Sequence, residues 1–256
     1  MVQEKGSSGD VVTNLDFASE KLIIKAISAK FPGHKIISEE RGAIDRASRW
    51  TWLIDPVDGT NNVVIGLMVI TVGVTLCQDE VPVMSVVHDP VSRRTWSAIL
   101  KRGAWQGDHA LVAKPRPDAS RKPTLAWIQG YSVQDGDQTA RALRMVMGQR
   151  GHRVLDLWAP LTCWMMLARG DIDGIVGYRI GELDLHGGAL IADEAGLTIH
   201  EFSGIPFEKR FRATGDSQCV LAGSSEVVSE LTEMVSTARR VAHELDHLVS
   251  AELLKR

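Results

Sequence analysis

The 256-residue chain has few cysteines, few aromatic side chains and no surplus of basic charge. Its three cysteines, Cys77, Cys163 and Cys219, are odd in number and far apart, with no Cys-x-x-Cys pair. That excludes a disulfide framework and offers no zinc-ligand spacing. The thiols read as small buried apolar residues in a reducing compartment. A formal net charge of -3 leaves no basic stripe of the kind that neutralises a duplex backbone, so a nucleic acid polymer is not an expected partner. No run approaches the roughly 20 apolar residues of a spanning helix. Residues 1–10 are polar, Gly/Ser-rich and expected to be flexible, with no apolar segment of signal-peptide type. These absences predict a soluble cytoplasmic protein without a membrane partner.

What is there is ample apolar material: 44% hydrophobic residues against 24% charged, enough for a sizeable core in one large domain or two small ones. No repeat or low-complexity linker divides the chain. The expectation is one unit of two closely packed halves, about residues 10–130 and 131–225, followed by a helical extension over 226–256. Apolar residues at helical spacing predict a helix over 16–31, ended by Pro32 and Gly33. Short strands are predicted at 35–38 and 50–54, the first delivering Glu39 and Glu40 and the second stopping at Asp55-Pro56. β-branched alternation over 69–98 suggests an antiparallel meander. Helices are expected again over 137–148, 159–169 and 185–195. From Ser225 onward Val228, Leu231, Val235, Val241, Leu245 and Leu248 repeat on a charged background. Interleaved strands and helices predict a layered α/β or α+β sandwich. Trp96, Trp105, Trp127 and Trp164 stand in apolar contexts and read as core.

The most informative stretch runs from Trp52 to Asn62, where an apolar strand enters Asp55-Pro56-Val57-Asp58-Gly59-Thr60. Pro56 stiffens the exit, so that Asp55 and Asp58 can converge. Hard divalent cations take such oxygen ligands, and magnesium in particular takes a few carboxylates with water and phosphate completing its octahedron. Gly59 permits close backbone approach, and a helix starting near Thr60 would offer amides to phosphate oxygens. The same composition also makes ordinary turns, and adjacent acids such as Glu39-Glu40 are commonly just exposed. A third acidic place, Glu182-Leu183-Asp184 just ahead of a small-residue helix, completes a pattern of several acidic element ends beside one Gly-Thr step.

Those residues carry a resemblance to the inositol monophosphatase family, over roughly residues 10–223. Its carriers are Asp10-Val11-Val12-Thr13-Asn14-Leu15-Asp16, Ile37-Ser38-Glu39-Glu40, the stretch from Trp52 to Asn62, Ala168 to Gly174, and Leu183 to Gly196. The resemblance implies an α-β-α-β-α sandwich, a homodimer, and a phosphomonoesterase using two or three Mg2+ ions on a small phosphorylated metabolite. It places Glu39, Asp55 and the Val57 carbonyl around one metal and Asp55, Asp58 and Asp184 around a second, with Glu39 also touching a third. It assigns Thr60 and Asp16 to orienting the attacking water, the Gly59 and Thr60 amides to the phosphate, and Asp184 to the substrate side as well.

The substrate is open at this level. Inositol monophosphate leads by family weight, with histidinol phosphate, another sugar phosphate or a nucleotide 3'-phosphate as alternatives, and a non-catalytic metal and phosphometabolite binder as the rival of another class. Counting back from Asp184 puts Gly177 where inositol-selective members carry a Glu, and Trp158-Ala159 falls near their Gly-Ser pair. Arg179, Glu182 or His186 could then serve a different alcohol, although His186 reads first as an exposed or capping residue. Leu183-Asp184-Leu185-His186-Gly187-Gly188 also departs from the family's usual Trp-Asp and Ala-Ala-Gly, so the packing around Asp184 is expected to differ. The chain begins near the Thr-x-x-Asp motif without the leading helix that members usually have, which either weakens the outer layer or leaves it to another segment. The charged stretch 238–256 either reinforces a partner contact or folds back over its own core.

Overall fold

A computed structural model describes residues 2–5, 9–114, 116, 118, 120–212 and 217–253, with side chains as far as residue 244. The side chains of Leu245 and Leu248, residues 254–256 of the expected extension, and residues 1 and 6–8 of the expected flexible start lie outside what is described. The start is not featureless. Strand β1 (Val2–Glu4) pairs antiparallel with β2 (Val11–Thr13), with Val2 opposite Thr13 and Glu4 opposite Val11.

Helix α1 (Asn14–Lys30) is closed at its N-terminus by a capping box in which Thr13 and Asp16 satisfy each other's backbone and side-chain groups. Next come β3 (Lys35–Ser38), β4 (Gly42–Ile44), β5 (Trp50–Asp58) and the five-residue helix α2 (Thr60–Val64). The meander is β6 (Thr71–Gln78), β7 (Val81–Asp89), β8 (Arg94–Ile99), β9 (Gly103–Gln106) and β10 (His109–Leu111). With β3, β4 and β5 it makes an eight-stranded sheet ordered β10-β9-β8-β7-β6-β5-β3-β4, in which β3 and β5 run parallel and the other neighbours antiparallel.

The second sheet contains β11 (Thr124–Gln129), β12 (Arg153–Asp156), β13 (Gly174–Ile180), β14 (Thr198–Glu201) and β15 (Gln218–Gly223), ordered β12-β11-β13-β15-β14. The chain therefore changes sheets between Leu111 and Thr124. Helices α3 (Gln138–Arg150), α4 (Pro160–Arg169), α5 (Glu182–Glu194) and α6 (Ser225–Leu253) complete the molecule.

Five layers result. Ile27 of α1 packs on Ile36, Trp52 and Ile54 on the outer face of the first sheet. Between the sheets α4 and α5 bury Leu161, Trp164, Leu185 and Leu190. A Cβ on Gly188 would meet Trp164 ring atoms at 2.2 Å, and one on Gly187 would meet Thr75 Oγ1 at 2.6 Å, so the Gly187-Gly188 step is what lets α5 lie flush against α4 and the first sheet. On the far side α3 and α6 bury Leu143, Met147, Val228, Leu231 and Val235 against the second sheet. Ala238 and Ala242 join that cluster, so the described part of the expected extension folds onto its own core. Trp96, Trp127 and Trp164 are core, whereas Trp105 is only half-buried. Of the cysteines, Cys77 and Cys163 are buried and Cys219 is half-buried; all three are free thiols. Among the described residues no helix is long and apolar enough to cross a membrane.

Candidate active site

The decisive local feature is a bulge. Strand β5 does not stop at Asp55-Pro56 but runs on to Asp58, and its register against β6 shifts so that Asp55 faces Gly73 and Asp58 faces Thr71. In a regular strand, residues separated by three positions point to opposite faces. One extra residue on β5 cancels that alternation and turns both carboxylates to the inner face. Pro56 sits in the bulge, where the ladder needs no donor from it.

Each carboxylate is then held by a different element. Asp58 Oδ2 accepts from Thr71 Oγ1 at 2.8 Å and from the Thr162 amide at 3.1 Å. It thereby satisfies an N-terminal amide of α4, whose own cap position, Ala159, has no side chain able to do so. Asp184 lies in the first turn of α5, which begins at Glu182 rather than at Leu185. Glu39 follows β3, and the turn around it is tied down by the buried Glu20, which accepts from Ser38 Oγ and from the Glu40 and Arg41 amides.

Asp55 Oδ1 and Asp58 Oδ1 are buried and have no hydrogen-bond partner. Such orphans are costly unless a cation or proton compensates them. Burial first, then repulsion from Asp58, Glu39 and Asp184, pushes the Asp55 carboxyl well above the usual carboxylate range. Burial pushes Asp58 up to about 7 against the hydrogen bonds that oppose it. Asp184 is driven well up by burial and by the charges of Asp58 and Glu39. Glu39 is raised too, chiefly by burial, although Lys5 counters this from 2.9 Å. Lys5 also bonds Glu40 and lies 3.9 Å from Asp10. Among the described residues no three His, Cys, Asp or Glu side chains are drawn together in a ready coordination sphere. The donor set is all oxygen, with two uncompensated buried oxygens, and suits a hard divalent cation such as magnesium.

Thr60 opens α2 behind Gly59, whose φ of +100° and a would-be Cβ 2.5 Å from the Val69 carbonyl admit only glycine. Thr60 Oγ1 donates to Asp16 Oδ1 at 2.6 Å and lies 2.9 Å from the Val57 carbonyl oxygen. The other Asp16 oxygen is held by Thr13 through its amide, 2.8 Å, and its hydroxyl, 2.6 Å. The structure thus brings Asp16, Glu39, Asp55, Val57, Asp58, Gly59, Thr60 and Asp184 to one region. All but Asp16 line a single cleft of about 1090 Å3 between the two sheets.

Two sequence expectations fail here. His186 is neither exposed nor a cap: it is 2% accessible, bonds Glu182 Oε2 through Nε2 at 2.7 Å, and packs between Phe207 and Phe211. Glu182 also accepts from the Arg212 amide and from Gln218 Nε2, which pins the segment before Arg212 beside the first turn of α5. Gly177 does not line the cleft. It lies within β13, where a Cβ would meet Ile180 Cδ1 at 2.1 Å, and the register against β15 shifts between Gly177 and Ile180. Counting along the chain from Asp184 cannot see that shift. Arg179 points away as well, toward Asp137 and the Tyr178 ring. The walls are supplied instead by residues the motifs do not mark, among them Gln129, Tyr131, Leu157 and Arg212, together with Trp158.

A sequence profile described as the inositol monophosphatase family matches residues 1–243. The chain belongs to the inositol monophosphatase family. It is 32% identical over 210 residues to inositol monophosphatase 1 of Solanum lycopersicum, covering 78% of this chain and 75% of that protein. It is 26% identical over 230 residues to a fructose-1,6-bisphosphatase of Pyrococcus furiosus, covering 89% and 85%. The crystal structure of the extragenic suppressor protein suhB from Bartonella henselae superposes with a TM-score of 0.81 over 92% of this chain and 88% of that one, at 21% identity, a likeness of fold. The five-layer sandwich is thus the family's architecture, and family membership indicates phosphatase chemistry.

Proposed function

We propose that this family member is a magnesium-dependent phosphomonoesterase acting on a small phosphorylated metabolite. The observation that carries the reading is the β5 bulge, which turns Asp55 and Asp58 onto one face with an uncompensated oxygen each, toward the repelling charges of Glu39 and Asp184. Glu39, Asp55, the Val57 carbonyl, Asp58 and Asp184 would hold two or three magnesium ions. Bound magnesium supplies Lewis acidity, bringing water toward ionisation near neutral pH and offsetting charge on the phosphate.

The remaining work falls to the chain itself. Because Thr60 gives its single proton to Asp16, a lone pair on Oγ1 stays open to accept a hydrogen bond from the attacking water and fix its direction. Gly59 brings the start of α2 close to the phosphate, and the Thr60 amide belongs to the same anion-binding corner. Asp184, opposite β5 at the head of α5, borders both the metal region and the leaving alcohol.

The test is phosphate release from a panel of monoesters, including inositol 1-phosphate and fructose 1,6-bisphosphate, with magnesium, with chelator, and with Asp55→Asn. Magnesium-dependent turnover that disappears in Asp55→Asn supports the hydrolase. Retained magnesium binding with no release from any ester would replace it with the non-catalytic binder.

A further inference from the structure

The first turn of α5 lacks the usual helix start. Its N-cap is Gly181, which has no side chain to accept from the free amides. Asp184 lies in that turn, with its Oδ2 3.3 Å from where a Gly181 Cβ would stand. Another group must hold the turn if Asp184 is to keep its place at the cleft beside Asp55 and Asp58.

Glu182 does so through three bonds. Its Oε2 accepts from the Arg212 amide at 3.1 Å and bonds His186 Nε2 at 2.7 Å, and its Oε1 accepts from Gln218 Nε2 at 3.1 Å. Arg212 belongs to the segment between β14 and β15, and Gln218 opens β15, so one carboxylate joins the start of α5 to two later stretches of chain. The Phe211 amide donates to the Glu80 carbonyl at 2.8 Å, which ties the same segment to the turn between β6 and β7. Glu182 and His186 are both buried, so little water is at hand to replace a bond that is lost.

Helix geometry links this network to Asp184. Residues four apart lie on one helix face, so Glu182 and His186 grip the 207–212 segment together, with His186 between Phe207 and Phe211. Asp184, two residues on from Glu182, is rotated by roughly 200° about the axis and leaves from the other face. Holding the Glu182 face therefore fixes the rotation of α5 that presents Asp184 to the cluster, where Asp58 and Glu39 repel its charge. The Gly187-Gly188 step sets how closely α5 packs, and the Glu182–His186 pair sets how it is turned.

Resting on the reading above, in which Asp184 holds magnesium, we propose that Glu182 and His186 are positioning residues that set the orientation of Asp184 and thereby the affinity of its magnesium site. The test is calorimetric titration of the full metal-free chain with magnesium chloride, in which Asp184→Asn identifies the binding step that depends on Asp184. Glu182→Ala should weaken that step by about tenfold or more, the scale of losing a group that orients a metal ligand. Glu182→Gln should restore most of the affinity, because its carbonyl can accept from the Arg212 amide while its NH2 donates to the Gln218 carbonyl once that side-chain amide turns. His186→Phe keeps the packing between the two phenylalanines and removes one bond, so it should weaken the same step and keeps the comparison open if Glu182→Ala does not fold. Substrate KM at saturating magnesium should stay near the parent's. A magnesium step unchanged in Glu182→Ala and His186→Phe, or an equal loss in Glu182→Ala and Glu182→Gln, overturns the inference and leaves the phosphatase reading in place. A raised substrate KM with magnesium binding intact also overturns it, making Glu182 a substrate contact. A parent chain that binds no magnesium overturns both.

Discussion

Thr60 Oγ1 stands 2.6 Å from Asp16 Oδ1, so one hydrogen bond joins the capping box of α1 to the first turn of α2. Asp16 thereby serves a helix terminus and the proposed reaction centre at once. Replacing Thr60 by Val keeps the shape and removes the hydroxyl. We expect kcat to fall by roughly 100-fold, the scale of a positioned proton-handling group, with KM little changed. Steady-state phosphate release at saturating magnesium checks this; a fall of only a few fold would remove Thr60 from the reaction.

Stability of the metal-free protein should depend on pH in an unusual direction. The Asp55, Asp58 and Asp184 carboxyls have folded-state values raised above the unfolded ones. Between the unfolded value near 4 and the folded value of about 7 for Asp58, the native state holds more protons than the unfolded chain. Their contribution is greatest below that window and is lost as pH rises through it. Thermal melts in chelator should show a lower Tm at pH 7 than at pH 5, a difference that added magnesium narrows. A Tm that rises across the same range in chelator would contradict the crowding of these groups.

Asp55→Asn removes one repelling charge from the cluster. The metal-free variant should melt higher than the metal-free parent at pH 7, yet gain little Tm from magnesium. Paired melts with and without magnesium read both effects, and an unchanged magnesium increment would exclude Asp55 as a ligand.

Gly59→Ala places a Cβ 2.5 Å from the Val69 carbonyl at a φ of +100°. A cost of about 1–3 kcal/mol is expected, from strain at an unfavourable backbone conformation. Denaturant unfolding measures it directly, and a variant as stable as the parent would show that the α2 turn can shift.

His186→Ala should lower stability by about 2–4 kcal/mol, since it empties a site between Phe207 and Phe211 and takes a partner from the buried Glu182. KM should change little if His186 is structural, so kinetics and denaturant melts together separate packing from substrate contact.

Much of the fold was legible in local pattern. Periodicity placed α1, α3 and α4 to within a few residues, because an amphipathic face is written into neighbouring turns. The acids at Glu39, Asp55, Asp58 and Asp184 stood out because each lies at or beside the end of a regular element. Long-range pairing was not legible. The Glu20 brace under Glu39 and the Lys5 bridge both depend on partners that no nearby residue announces.

The sequence by itself therefore determined which residues are present for the proposed metal and phosphate chemistry, in what order, and on which kinds of element. Only the tertiary structure decided which way they face. The extra residue in β5 turns Asp58 to the side of Asp55, the register shift against β15 accompanies Gly177 away from the cleft, and Tyr131 and Trp158 stay exposed while Trp96, Trp127 and Trp164 vanish into the core. Side-chain direction in a strand reverses with every residue, so a one-residue irregularity set by distant strands changes the face, and no local pattern encodes it.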